Sequence, residues 1–279
     1  MRKNERRIPV QTINQFNALA GRLQKLLALH SSPVAMKVLY EESEVPEDSL
    51  RPQRDLGGHL AMCQAFGMVR REKKALTMLK EDHWCVWPLV SYGLVDLDAD
   101  DFDYMGHKLF FADQEKGVEF LRNSYPRLQT DRRPIGFTLS PLETAQFIPD
   151  LISIYCLPSQ LRTIMMGVRY ETGEMLQVSF DSVDSCVHST IPVMNGKPYN
   201  ITIPDPGDFE RGLAREDEMI FTLRGDRLEG LTETMESLAS RGFGYQNMAY
   251  KLTLDHPRPK FYHDMFRKWG LDEDGVWGE

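Results

Sequence analysis

The residues of this 279-residue chain best suited to chemistry crowd into one stretch. Gly57-Gly58-His59-Leu60-Ala61-Met62-Cys63-Gln64-Ala65 is followed, after a basic run, by His83-Trp84-Cys85-Val86-Trp87-Pro88. Residues 57–88 hold two of the four cysteines, two of the seven histidines and two of the four tryptophans. Thiolates are soft ligands suited to zinc and iron–sulfur clusters. One reading therefore brings Cys63, Cys85 and Cys186 to a common metal or iron–sulfur site, with His59, His83 or His188 as candidates for a fourth ligand. The cysteines form no close Cys-x-x-Cys pair, so spacing by itself does not select such a site. The competing reading makes them small buried hydrophobes, and that is the plain reading of Cys156 inside the apolar run 151–157.

A second chemistry needs only Cys63. A helix over residues 60–74 places this thiol in the first turn, where backbone N–H groups and the helix dipole lower a thiol pKa. His59 lies four residues earlier and shares a face with Cys63 if the helix includes it; His188 is the other candidate base for a nucleophilic thiol. Asp181 and Asp184 flank Cys186 as hydrogen-bond acceptors around a site, or as plain turn residues. A third reading is a non-catalytic ligand- or partner-binding module in which the thiols are merely packed. Other motifs fall away. Gly57-Gly58 fits neither the dinucleotide fingerprint nor the P-loop. The aspartates of 96–103 mimic a calcium loop, but its sixth position is Asp101 rather than Gly and its twelfth is His107 rather than Glu. They read as a solvated loop or helix cap. The trio Glu216-Asp217-Glu218 reads as solvated surface.

The elements that position these residues follow from periodicity. Thr12 and Gln15 form a capping box, and Ile13, Phe16, Ala20, Leu23 and Leu27 recur at helical spacing behind it. Alternation predicts a strand over 34–40. The polar, proline-punctuated segment 41–56 reads as a loop. Short strands are expected at 75–79, 151–157, 175–180 and 219–223. Helices are expected at 114–124, from Pro158 to about Tyr170 with Gly173 as C-cap, and over 227–239. Ser140-Pro141-Leu142-Glu143 has the form of a helix start. Residues 181–187 read as a turn, and Asn195-Gly196 within 191–203 as a hairpin signal. Helices and strands mix without regular alternation. The expectation is an α+β fold: a flexible lead-in over 1–11, one domain over 12–256 with a largely antiparallel or mixed sheet flanked by helices, and a docked aromatic tail over 257–279.

Composition narrows the classes of function. The formal net charge of −8 argues against a general nucleic-acid binder. No run approaches the roughly 18–20 apolar residues of a membrane span. The N-terminal basic residues lead into no apolar signal region, so the expectation is the cytoplasm and reduced thiols.

Several segments, in order, carry a resemblance: Pro33-Val34-Ala35-Met36-Lys37-Val38, Cys63-Gln64-Ala65, Cys85, Pro158-Ser159-Gln160, the segment with Cys186, and Pro206-Gly207-Asp208 followed by Asp217-Glu218. The chain resembles the bacterial and archaeal family called Domain of Unknown Function 169, over roughly residues 15–240. The resemblance implies no reaction. It does imply that Cys63, Cys85 and Cys186, but not Cys156, fall where the family has cysteines. It also implies an anaerobic setting that suits an oxygen-sensitive cluster. One departure stands out: after the second cysteine the family tends to have Pro-Gly-Gly, and here Val86-Trp87-Pro88 follows. The tryptophans are placed to wall a ligand off from water. The leading expectation is a cysteine-ligated iron–sulfur or metal-binding protein with a redox or Lewis-acid role on a small molecule. The alternatives are a thiol-dependent enzyme using Cys63 and a binding module.

Overall fold

Strand β1 (Val34–Leu39) lies inside the sheet and pairs on both sides. The computed structural model describes residues 12–106, 111–178, 180–245 and 259–270. The chain divides into two units, Met1–Gln246 and Asn247–Glu279. In the first, α1 (Ile13–Leu27) precedes β1, then come α2 (Pro52–Leu56), α3 (Met62–Gly67), β2 (Leu76–Leu79), α4 (Val86–Ser91), α5 (Ala99–Gly106) and α6 (Gln114–Asn123). They are followed by β3 (Gly136–Pro141), β4 (Leu151–Cys156), α7 (Pro158–Thr172), α8 (Ser185–Met194), β5 (Tyr199–Thr202), α9 (Pro206–Glu210), β6 (Met219–Arg224) and α10 (Leu228–Leu238). The strands lie in the order β2-β3-β1-β4-β6-β5, and every neighbouring pair is antiparallel. The fold is α+β, as expected. In the second unit the described residues carry α11 (Lys260–Lys268).

The sheet is buried on both faces. Successive side chains of a strand point to opposite faces, and the two cores divide accordingly. Val34, Met36, Val38, Leu151 and Tyr155 join Met62 and Phe66 of α3 and Val187 and Ile191 of α8. Ala35, Ile152, Ile154 and Cys156 join the apolar stripes of α1, α7 and α10. Cys156 is therefore a core residue on the face opposite α3 and α8, which agrees with its plain reading.

Several local expectations are corrected by pairing. Ser140 and Pro141 sit opposite Ala35 and Val34 in the β1–β3 ladder, so the expected helix start is the end of a strand, followed by one 3₁₀ turn at Leu142–Thr144. The helix expected over 60–74 is shorter. Leu60 pairs with His83 instead, α3 begins at Met62, and a π-turn over Met68–Glu72 follows it. Residues 41–56 include a 3₁₀ turn, Glu42–Glu44, and α2. Residues 175–178 form no strand, and Met175 is exposed. Cys186 lies inside α8 rather than in a turn. Asn195-Gly196 ends α8, with Gly196 at φ +102°, and turns the chain into β5 rather than making a hairpin. The calcium-loop mimic caps α5, where Asp98 accepts from the Asp101 N–H at 2.9 Å.

Glu218 is likewise no surface residue. Arg70, buried on the α3 side, donates to Glu218 Oε2 at 3.1 Å and to the Gly212 carbonyl at 3.0 Å, and its guanidinium lies 4.0 Å from the Tyr155 ring centroid. Glu218 also accepts from Arg71 at 2.7 Å and from the Arg215 N–H at 3.0 Å. Removing one partner of a buried pair strands the other charge and costs about 3–5 kcal/mol. Glu218→Ala is expected to lose stability of that order. Arg70→Met is expected to lose less, because Glu218 keeps Arg71 and the Arg215 N–H. Urea unfolding of both variants reads the difference.

A candidate thiol-lined site

Cys63, Cys85 and Cys186 line one cavity of about 310 Å³. Each reaches it from the start of a helix. Cys63 is the second residue of α3, Cys85 is the N-cap of α4, and Cys186 is the second residue of α8. The start of α9, with Asp205 as its N-cap, supplies a fourth wall. Trp84, Trp87, Asp184, Glu210 and Arg211 complete the lining.

The geometry has local causes. Leu60 N–H bonds the Asp82 carbonyl at 3.0 Å and Trp84 N–H bonds the Leu60 carbonyl at 2.9 Å, which sets the segments carrying Cys63 and Cys85 side by side. Asp205 caps its own helix, accepting from the Asp208 N–H at 2.9 Å, and accepts from the Ser185 N–H of α8 at 2.8 Å. Asp208 takes the hydroxyls of Tyr155, at 3.0 Å, and of Ser185. Two glycines allow the last wall to close. A Cβ on Gly67 would lie 2.7 Å from the Gly212 carbonyl oxygen, and one on Gly212 would lie 2.9 Å from the Cys63 carbonyl oxygen. Both obstacles are backbone atoms, so α3 and the segment after α9 approach this closely only without side chains.

Burial dominates the electrostatics. It pushes the Cys63 thiol up to about 12; Asp208 and Asp205 add to the rise, and the Arg211 guanidinium against the sulfur opposes it. Burial raises Cys85 as well, with the Trp87 N–H pulling the other way. It raises Cys186 well above the usual thiol range, with Cys63 the next contributor. The expected lowering of the Cys63 pKa is thus reversed: removing the thiolate from water outweighs the favourable helix start. Asp184, hydrogen-bonded by the Tyr125 hydroxyl at 3.0 Å, is pushed up to about 7 by burial and then by Asp205 and Asp181.

None of the three candidate histidines lines the cavity. His59 is exposed and precedes α3, so it does not share a helical face with Cys63. His83 is buried with its ring edge-on to Phe137, 5.4 Å between centroids, and neither ring nitrogen has a partner. His188 sits edge-on to Tyr125 with Nε2 3.6 Å from Asp181, beyond hydrogen-bond range. The acidic groups at the cavity are Asp184, Asp205 and Glu210. Sequence reading missed Asp205, Glu210 and Arg211; the one signal was Pro206-Gly207-Asp208, a proline at a helix start behind an aspartate cap. Among the described residues, no group of three or more His, Cys, Asp or Glu is placed to hold a metal ion.

Fold and site together define an α+β protein whose antiparallel sheet carries, on one face, a thiol-lined cavity built from helix starts. Residues 22–234 match Domain of Unknown Function 169, described as an uncharacterised ArCR family, and the chain belongs to that family. The uncharacterized protein MJ0308 of Methanocaldococcus jannaschii is 22% identical over 230 residues, which cover 80% of this chain and 95% of its relative. No solved structure matches the chain. No helix among the described residues is long and apolar enough to cross a membrane.

Two measurements probe this region. Asp205→Ala removes the acceptor for two helix-start N–H groups, at about 1 kcal/mol for each cap. A loss of roughly 2 kcal/mol in urea unfolding is expected. The second is a pH profile. Burial holds the His83 pKa at about 4, below its ordinary 6.5. The ring is neutral when folded, so the unfolded state takes up the extra proton as pH falls from 6.5 to 4, and stability drops across that window. The drop is on the order of 3 kcal/mol. His83→Phe is expected to remove this part of the acid sensitivity.

Proposed function

We propose that the chain binds a thiophilic inorganic group, an iron–sulfur cluster before zinc, through Cys63, Cys85 and Cys186, and acts through it on a small molecule. The observation that carries this reading is the sorting of the four thiols. Three from distant parts of the chain line one cavity, and the fourth lies across the sheet.

The donor set fits the chemistry of such a group: three sulfurs, with no histidine among them. Among the described residues no group of three is placed to hold a single ion; a cluster of several atoms would have to span the sulfurs on separate walls. Bound there, it would supply one-electron chemistry or, at a metal corner without a protein ligand, a Lewis-acid position. The residues of the chain do the rest. The buried thiols hold their protons at neutral pH, so ligation releases protons and strengthens as pH rises. Trp84 and Trp87 restrict water at the wall, and Arg211 offsets negative charge beside Cys63. Free thiols suit a reducing compartment such as the cytoplasm.

Anaerobic purification, reconstitution with iron and sulfide, and visible absorption with iron and sulfide analysis test the reading. Cys63→Ser, Cys85→Ser and Cys186→Ser are each expected to lose most of the bound iron, and Cys156→Ala to keep it. A colourless, iron-free chain after reconstitution would overturn the reading. So would equal iron in all four variants.

A further inference from the structure

Arg211 has more hydrogen-bonding capacity than the protein uses. Among the described residues lining the thiol cavity it is the one positive side chain. Its Nη1 donates to Glu210 Oε2 at 2.8 Å. Its guanidinium carbon lies 5.1 Å from the Trp84 ring centroid, and the group rests against the Cys63 thiol. Its Nε–H is buried with no partner. A buried donor left unmatched costs free energy, more so on a charged group, and calls for an explanation. Gly207 sharpens the point, since a Cβ there would lie 2.7 Å from Nη2. The guanidinium thus packs closely over Gly207, and a side chain there would make it shift.

We propose that Arg211 is the recognition residue for a small carboxylate-bearing ligand of the thiol cavity, with the carboxylate on the guanidinium and the body of the ligand between Trp84 and Cys63. The proposal rests on the cavity being the functional site, as above, and names the class of molecule it takes. Nε and Nη2 form the side edge of the guanidinium, which pairs with a carboxylate through two parallel hydrogen bonds once the guanidinium turns its enclosed Nε to the cavity. Glu210 engages Nη1, not that edge, and its side chain is 67% exposed, so it is an inexpensive contact to rearrange. Asp205 spends its oxygens on two backbone N–H groups, and Asp184 accepts from Tyr125. The cavity, about 310 Å³, sits at the small end of organic-ligand sites. Trp84, 60% exposed, offers a flat apolar wall at its mouth.

Iodoacetate tests the proposal as a carboxylate that marks the neighbouring sulfur. The Cys63 thiolate attacks its methylene carbon; the S–C bond forms, the C–I bond breaks, iodide leaves and the thiol proton goes to solvent. Neutral iodoacetamide reacts in the same way without the carboxylate, so the ratio of the two rates at Cys63 cancels the thiolate fraction. The full, iron-free chain is alkylated at pH 9 and the Cys63 peptide quantified by mass spectrometry. The iodoacetate-to-iodoacetamide ratio is expected to fall about tenfold in Arg211→Gln, whose neutral amide keeps at most one of the two hydrogen bonds. An unchanged ratio would overturn the proposal. A second arm needs no substitution: acetate is expected to slow iodoacetamide attack on Cys63 in the unaltered chain, and no slowing would count equally against the proposal. Both arms read sulfur without metal, so their failure is separate from a failure to bind iron.

Discussion

The Asp205 carboxylate is the contact on which the geometry of the thiol cavity turns. One oxygen closes the first turn of α9 and the other holds the first N–H of α8. Two helices that approach from different directions are thereby fixed at their starts, and the start is where each contributes to the cavity. Asp208 repeats the device one layer deeper, joining α8 through Ser185 to the sheet through Tyr155. Behind it, Arg70 ties the segment after α9 to the π-turn that follows α3. A carboxylate buried among N–H and O–H donors is specific because leaving any donor unmatched is costly. The loops around the cavity are therefore held by directional side-chain bonds, while the helices pack on the sheet beneath through non-directional apolar contact.

The thiols illustrate two opposing physical effects. A helix start favours the thiolate by a fraction of a charge at close range. Removal from water disfavours it more strongly when the sulfur is enclosed. Here enclosure wins at Cys63, Cys85 and Cys186. The neutral thiols sit without mutual repulsion in a space that three thiolates would share only with a cation among them. Enclosure of this kind disfavours the thiolate that a nucleophilic Cys63 would need.

Much of the frame was legible in the residues. The capping box at Thr12, the alternation of β1, the apolar run of β4, and Pro158 with Gly173 around α7 each carry a local signal strong enough to survive folding. The failures share a cause. Ser140-Pro141 has a helix-start pattern, yet pairing with β1 claims it; Leu60 has a helix neighbour, yet the bridge to His83 claims it. Long-range pairing overrides local preference, and no single sequence displays its partners. The site divided in the same way. Cys63, Cys85 and Cys186, grouped apart from Cys156 in the sequence, line one cavity. Arg211 and Asp205 were invisible because an arginine or aspartate in a polar loop looks like solvated surface until a second segment closes over it. The histidines stand near the cysteines in sequence, but none of the three lines the cavity.

The cavity walls come from four segments running from Ala61 to Arg211. Anything that grips several walls at once ties together parts of the chain that otherwise meet only through the sheet. A tie of this kind shortens the loops available to the unfolded chain and is bound by the folded one alone, so it adds to stability by mass action. A ligand held by those walls would raise the melting temperature of the first unit, through helix starts far apart along the polypeptide.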